Sequence, residues 1–367
     1  MHKKNSSLIS NRQFIFLIHG AQMGIGILQL PRLLAEKADM DGWISLISGW
    51  LMSVLASLII VQIMKKNPHD TLLDLLTMYF GKWFGKIGAI ALFLYFLFMS
   101  FVVIQKSILY IRVWIIPEST EYILMLLISV PIYIIARNGI KVIGRYAELI
   151  FFITIWIFLF YIFALKQSHH WEHILPLFKN ITQPILNTPS TAAMSFLGFE
   201  IIFLLYPFLE KKQDAARGII IANSITLILF LYITISCFVF FSPNEITQYN
   251  EPTLSMLKII EFRFLERVEI IFLALYIFVV STTWIPYIYC STFCMSWLGV
   301  SRNYSKYLKF ILLLFIVLFY FIPSTLYQNA LLQRMGAKIG LVIAYILPLV
   351  LFIYSNVYNR IHRRNVK

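Results

Sequence analysis

Charged residues are scarce in this sequence. Only 13% of its 367 positions are Asp, Glu, Lys or Arg, while 60% are hydrophobic and the mean hydropathy is +0.79. A soluble domain of this length needs a polar surface, and there is too little polar material here to cover one. The apolar runs are long and unbroken, which also excludes the short alternating segments of a β-barrel. Acidic residues are the rarer sign, 17 against 31 Lys and Arg, for a net charge of +14. In a soluble chain that excess would point to nucleic acid. In a membrane chain it is the cytoplasmic surplus of basic residues, so no nucleic-acid partner is expected. The three cysteines, Cys237, Cys290 and Cys294, all fall in apolar runs, which reads as packing and not as a disulfide framework. No Walker motif, nucleophile elbow, paired-cysteine motif or catalytic dyad is present, so neither an enzyme nor a cofactor is expected.

What is there is a polytopic helical membrane protein embedded in the lipid bilayer. The N-terminal MHKKNSSLISNRQFIFLIHG has a basic start, but its apolar stretch runs on past signal-peptide length without a small-residue cleavage site. It reads as a retained first span. Ten spans are expected, at approximately 12–36, 43–64, 86–111, 120–136, 143–165, 189–209, 217–241, 267–291, 307–323 and 337–358. With the N-terminus inside, the cytoplasmic segments carry the denser basic clusters, among them Lys65, Lys66, Lys82 and Lys86, and Arg360, Arg363 and Arg364. That bias places both termini in the cytoplasm, as an even number of spans requires. The segment from His69 to Lys86 clusters leucines and aromatics between charges and reads as an interfacial helix. The segment from Ser242 to Phe262 reads as a long outer loop with a short helix after Pro252. One transmembrane domain, 1–367, accounts for the chain.

The first span contains MGIGILQLPR, Met23 to Arg32, with two glycines and a proline. The sixth span, Thr188 to Glu210, carries Gly198 near its centre and Pro207 near its end. Interruptions at corresponding places of two five-span halves, approximately 12–165 and 189–358, point to an inverted repeat whose broken helices surround a binding site. Unwound backbone at mid-membrane depth is tolerable only where it lines a protected cavity. Half-helix N-termini suit a carboxylate and freed carbonyls suit an ammonium or a cation, so the implied ligand is a zwitterion such as an amino acid. The candidate ligand-binding residues are Gly24, Ile25, Gly26, Ile27, Ser195, Phe196, Gly198, Phe199 and Glu200. Glu200 stands out as the most centrally placed acid of any span, a position that is costly unless used.

GIGILQLP in the first span, SFLGFE followed by IIFLLYP in the sixth, and NEPTLSMLKIIEF in the outer loop together resemble the spore germination permease-like B subunits of nutrient germinant receptors. These belong to the amino acid–polyamine–organocation transporter superfamily. The resemblance covers about residues 10 to 360. It departs from the family's frequent Phe-Pro-Phe-Gly-Glu stretch, since Phe196-Leu197-Gly198-Phe199-Glu200 lacks the proline and shifts the glycine by one. What it implies is a receptor for a small nutrient, often an amino acid, in the inner membrane of the dormant endospore. The implied partners are a larger A-subunit membrane protein and a C-subunit lipoprotein. An amino-acid transporter coupled to protons or sodium is the alternative.

Ser281, Thr282 and Thr283 lie together in the eighth span, where sodium-coupled relatives of the fold hold an ion; Thr282 and Thr283 are the sodium candidates, against the commoner capping of helical carbonyls. The fifth span lacks the lysine that some proton-coupled relatives carry, since Glu148 to Ala164 contains none. Lys106, near the outer end of the third span, is expected to snorkel to the interface, and neighbouring Gln105 to face a polar path. HHWEH, His169 to His173, falls in an outer loop without metalloprotease spacing and reads as solvated histidines.

Overall fold

The computed structural model describes residues 8–175, 189–263, 267–299 and 303–364. The described residues are helical apart from turns, loops and isolated bridge residues, among them Ile9 paired with Leu209. Among the described residues, seven helical runs are long and apolar enough to cross a membrane: Leu30–Lys66, Lys82–Ile115, Ile140–Gln167, Lys212–Phe240, Val268–Leu298, Tyr304–Phe321 and Leu326–Tyr358. Two shorter apolar runs, Glu121–Ala136 and Phe199–Phe208, lie between them. The expected spans beyond the seven are those that are interrupted or short. A helix of 16 residues, such as Glu121–Ala136, rises only about 24 Å.

Helix α1 (Asn11–Gln22) begins where Ser10 caps it. The Ser10 hydroxyl accepts from the Gln13 N–H, and the Gln13 side chain accepts from the Ser10 N–H. Helix α1 ends at the break and is followed by a 3₁₀ turn, Ile25–Leu28, and α2 (Leu30–Ala38), which has Pro31 near its start. Proline is tolerated there because first-turn N–H groups have no carbonyl partner within the helix, so its missing N–H costs no ladder bond. Next come α3 (Trp43–Lys66), α4 (Leu72–Phe80) and α5 (Lys82–Tyr110). Helix α4 lies within the segment expected to form an interfacial helix and is shorter than that segment: Lys82 and Lys86 belong to the first turns of α5, because Gly81 ends α4 ahead of them.

Helices α6 (Glu121–Ala136), α7 (Ile140–Thr154) and α8 (Phe160–Gln167) follow. Thr188, the expected start of the sixth span, lies outside the described residues. The second interrupted segment comprises α9 (Pro189–Ser195), a turn, and α10 (Ile202–Leu205). After α11 (Ala215–Phe240), two short helices, α12 (Pro243–Ile246) and α13 (Pro252–Leu257), form the loop; α13 starts at the expected proline. The chain closes with α14 (Val268–Leu298), α15 (Tyr304–Phe321), α16 (Leu326–Leu341) and α17 (Leu347–Arg364).

The last segment therefore begins at Leu326, not at 337. Apolar periodicity hid its first three turns because Gln328, Asn329, Gln333 and Arg334 make them polar, and part of that polar face turns inward. The core runs along α14, in which every residue from Val279 to Thr292 is buried. Helix α1 packs between α7, α11 and α14. Its start is tied to the second interrupted segment, where the Ile9 N–H donates to the Phe208 carbonyl and the Ile9 carbonyl accepts from the Glu210 N–H. The outward faces carry apolar side chains such as Leu51, Leu94, Leu127, Phe152, Leu313 and Ile353. That is what a lipid-facing surface presents, and these residues need no protein partner.

Candidate functional site

At the first break the helix stops at Gln22, and Gly24 takes φ 1°, ψ −177°. An interruption leaves carbonyls without helical partners, and each must be satisfied in a membrane. Here hydroxyls from neighbouring helices do it. The Tyr276 hydroxyl reaches both the Met23 and Gly24 carbonyls, at 2.9 and 2.7 Å. The Thr283 hydroxyl donates to the Gly20 carbonyl at 2.8 Å, and Thr253 of α13 donates to the Leu28 carbonyl at 2.8 Å.

The second break turns on Gly198, at φ +132°. A Cβ there would stand 2.6 Å from the Ala21 carbonyl carbon and oxygen and 2.7 Å from the Gln22 nitrogen, so the two breaks press backbone against backbone. Only glycine meets both the conformation and the approach. Glu200 folds over this turn. Its Oε2 accepts the Gly198 N–H at 2.7 Å, and its Oε1 accepts the Tyr95 and Tyr287 hydroxyls at 2.7 and 2.9 Å.

Polar side chains link the two breaks. Gln22 donates to the Phe196 carbonyl at 2.9 Å and to Asn223 Oδ1 at 2.8 Å, and accepts from the Thr226 hydroxyl at 2.9 Å. Ser53 donates to the same Asn223 oxygen at 2.7 Å, and His19 Nδ1 lies 2.9 Å from the Thr226 hydroxyl. All five side chains are buried. Each has a partner, as buried polar groups in an apolar setting require.

A cavity of about 740 Å³ opens beside the first break, between α2, α5, α9 and α16, with Asn250 and Glu251 of the loop at its edge. It opens at the end of the bundle that holds the loop, away from the end where Ile9 meets Leu209 and Lys66 bonds Ser355 and Asn356. Of the candidate residues, Gly24, Ile25, Gly26, Ile27 and Ser195 line it, together with the sodium candidate Thr283. Gly26 faces open space, with nothing within 4 Å of a Cβ placed on it. Phe196, Gly198, Phe199 and Glu200 form the packed layer behind the wall; Glu200 reaches the cavity through Tyr287, which lines it. Phe196 packs on Phe230 and Phe199 on Tyr345. Thr282 faces away, donating to the Val279 carbonyl at 2.6 Å. Ser281 lies 2.6 Å from the Tyr146 hydroxyl.

Lys106 does not snorkel. It is buried, lines the cavity, and lies 3.9 Å from Glu251, because the loop folds back over it. Gln105 is buried against Asn329, whose amide donates to it at 3.0 Å. The hydroxyls of Tyr95, Tyr276 and Tyr287 were not anticipated from the sequence, and neither was the Gln22–Asn223 pair. A signal for the pair did exist: amide side chains in mid-span are costly and mark buried partners. His170 is half-exposed in its loop, with Nδ1 3.0 Å from Glu172.

Two facing helix breaks around a cavity in an all-helical bundle describe a transporter-type integral membrane protein. The solved structure of a Na+-coupled sialic acid symporter, in a substrate-bound outward-open state, aligns over 91% of this chain and 77% of that one with a TM-score of 0.64; at 10% identity this shows the fold alone. The sequence family described as spore germination protein matches residues 8–356, and the chain belongs to that family of non-enzymatic, permease-like membrane proteins. Among curated relatives, spore germination protein GerQB of Bacillus cereus is 27% identical over 97% of this chain and 98% of its own length. Spore germination proteins YndE and A2 of Bacillus subtilis (strain 168) are each 26% identical, over 82% and 79% of this chain and 82% and 80% of theirs.

Proposed function

We propose that this chain is the permease-like subunit of a nutrient germinant receptor and binds a small nutrient, an amino acid by class, in the cavity beside Gly24–Ile27. The observation that carries the reading is Gly26, a glycine in an unwound segment that faces a cavity instead of a neighbouring helix. In this reading the ten segments form two inverted five-span halves, 12–165 and 189–358, with both termini cytoplasmic. The first and sixth are the moving parts, and the protein sits in the inner membrane of the endospore. Binding shifts the two broken segments between arrangements, and an A-type membrane subunit and a C-type lipoprotein read the shift. Glu200 stabilises the sixth-segment turn and senses the cavity through Tyr287.

An amino-acid transporter coupled to sodium is supported less well. Of the two sodium candidates only Thr283 lines the cavity, donating to the Gly20 carbonyl at 2.8 Å, while Thr282 donates to the Val279 carbonyl of its own helix at 2.6 Å.

The test is one paired measurement on Gly26→Ala and Gly26→Leu: membrane abundance and germinant dose-response of the same spores. The open space beside Gly26 predicts normal abundance for both, with a right-shifted response for Ala and none for Leu. Normal abundance with an unchanged response defeats the reading.

A further inference from the structure

Helix α5 presents Met99, Val102, Val103 and Lys106 to the cavity, a spacing of three, one and three that places all four on one helical face. Lys106 is the charged member, and its side chain is 3% exposed. Its nearest carboxylate, Glu251, is 3.9 Å away, beyond hydrogen-bond distance. That oxygen is already engaged: Glu251 Oε1 accepts the Tyr110 hydroxyl at 2.9 Å and the Gln29 amide at 3.2 Å. Lys106 lies over the Tyr110 ring at 4.8 Å, a contact that leaves the three ammonium donors uncommitted. Among the described residues no acceptor hydrogen-bonds to it. A buried ammonium without an acceptor is costly, and this one faces a cavity.

The rest of the wall has the same sign. The lining includes the cations Arg32, Lys37, Lys106, Arg334 and Lys338 against the carboxylates Glu36 and Glu251. Arg32 is spent on Glu36 at 2.6 Å and on Asn250 at 2.5 Å, and Lys37 on the Thr191 hydroxyl at 2.7 Å. A concave wall with surplus positive charge raises the local concentration of anions, and Lys106 is the member of the set held deepest.

We infer that the Lys106 ammonium is the anchor for the ligand's carboxylate. The ligand's acid group would accept from Lys106 on the side where Glu251 does not, and would supply the hydrogen-bond acceptor that Glu251, 3.9 Å away, leaves missing. This rests on the cavity being the nutrient site and adds a ligand class to it: molecules with a free carboxylate bind, and their carboxamides do not. Glu251, tied to Gln29 beside the first break and carried on the same loop as Thr253, joins the carboxylate anchor to the segment proposed to move.

The experiment uses the full-length chain in lipid nanodiscs. Its melting temperature is measured with each of the twenty standard L-amino acids and then with the carboxamide of any that raises it. The same titrations are run on Lys106→Met. A charge-assisted hydrogen bond to a carboxylate corresponds to roughly 10- to 150-fold in affinity, so the stabilising amino acid should bind Lys106→Met that much more weakly, and its carboxamide should act on neither protein. Should Lys106→Met fail to fold because Glu251 is left without its counter-charge, the Lys106→Met, Glu251→Gln double variant carries neither charge and gives the same readout. An amino acid that stabilises wild type and variant equally, or a carboxamide as effective as its acid, overturns the anchor and leaves the nutrient cavity standing. If no amino acid stabilises the wild type, the amino-acid reading of the cavity falls and the anchor falls with it.

Discussion

The Glu200 carboxylate closes on the chain two residues behind it, its Oε2 accepting the Gly198 N–H at 2.7 Å while its Oε1 accepts two tyrosine hydroxyls. Three donors converge on one buried acid, and they come from three places in the fold: the break itself, α5 and α14. The acid is therefore a fastener for the interrupted sixth segment as well as a group within reach of the cavity.

Glu200→Gln tests that fastener. If the amide oxygen keeps Tyr95 and Tyr287, its NH₂ faces the Gly198 N–H, donor against donor. An unsatisfied buried N–H costs about 1–3 kcal/mol. Loss of a mid-membrane acid favours insertion, so normal membrane levels are expected with a lowered melting temperature and an impaired germinant response. An unchanged melting temperature would show that the break holds without the carboxylate.

Gly198 and Gly26 should separate cleanly. Gly198→Ala forces a left-handed φ on a residue with a Cβ, at roughly 1–3 kcal/mol. The same Cβ overlaps the Ala21 backbone, and overpacking adds roughly 1–3 kcal/mol. Low abundance of Gly198→Ala beside normal abundance of Gly26→Ala is the expected result, read by quantitative immunoblot of the membranes. Equal abundance would mean that the two breaks do not press together as described.

Much of this architecture was legible because its signals are local. Gly24, Gly26 and Pro31 lie in one ten-residue stretch, Pro252 starts the loop helix, and the apolar runs give most of the helices by length alone. The partners that satisfy the breaks were not legible. Tyr276, Tyr95 and Tyr287 are three of 20 tyrosines, and nothing in their spacing tells a hydroxyl that holds a distant carbonyl from a ring that fills space. Lys106 was misread for the same reason. Near a helix end its default is the interface, and only the return of the loop at Glu251, 145 positions later, buries it. Arg334 and Lys338 line the cavity, so the first turns of α16 carry polar side chains and hydropathy alone sets the segment's start too late.

The orientation of the halves is open to direct labelling. Helix α11 has 26 residues, about 39 Å of rise, enough to cross the hydrocarbon core. Gly218 near its start lies against Asn11, and the Val239 carbonyl near its end accepts from the His170 N–H. Arg12 and His170 are both substantially exposed, at opposite ends of that helix. Single cysteines at 12 and 170 should react with a membrane-impermeant maleimide from opposite sides, 170 from outside. Labelling of both from one side would overturn the topology.

The amide pair Gln22 and Asn223 offers the sharpest energetic test, because it joins the two breaks through side chains alone. Gln22→Leu keeps the volume but strips the Phe196 carbonyl, Asn223 and Thr226 of a partner at once. Single hydrogen bonds between transmembrane helices are worth about 0.6 kcal/mol on average and up to about 1.7. Three partners on one side chain place this substitution at about 1–2 kcal/mol. Asn223→Leu should cost less: Ser53 still has the Trp50 carbonyl, and Gln22 still has Phe196 and Thr226. In the double variant the shared bond is lost only once, so its destabilisation should fall short of the sum by about 0.5 kcal/mol or more. Unfolding free energies of the four proteins in one detergent give the coupling directly. Strict additivity would mean that the two amides stabilise their own helices independently, and that the breaks are held together by the Gly198 backbone crossing instead.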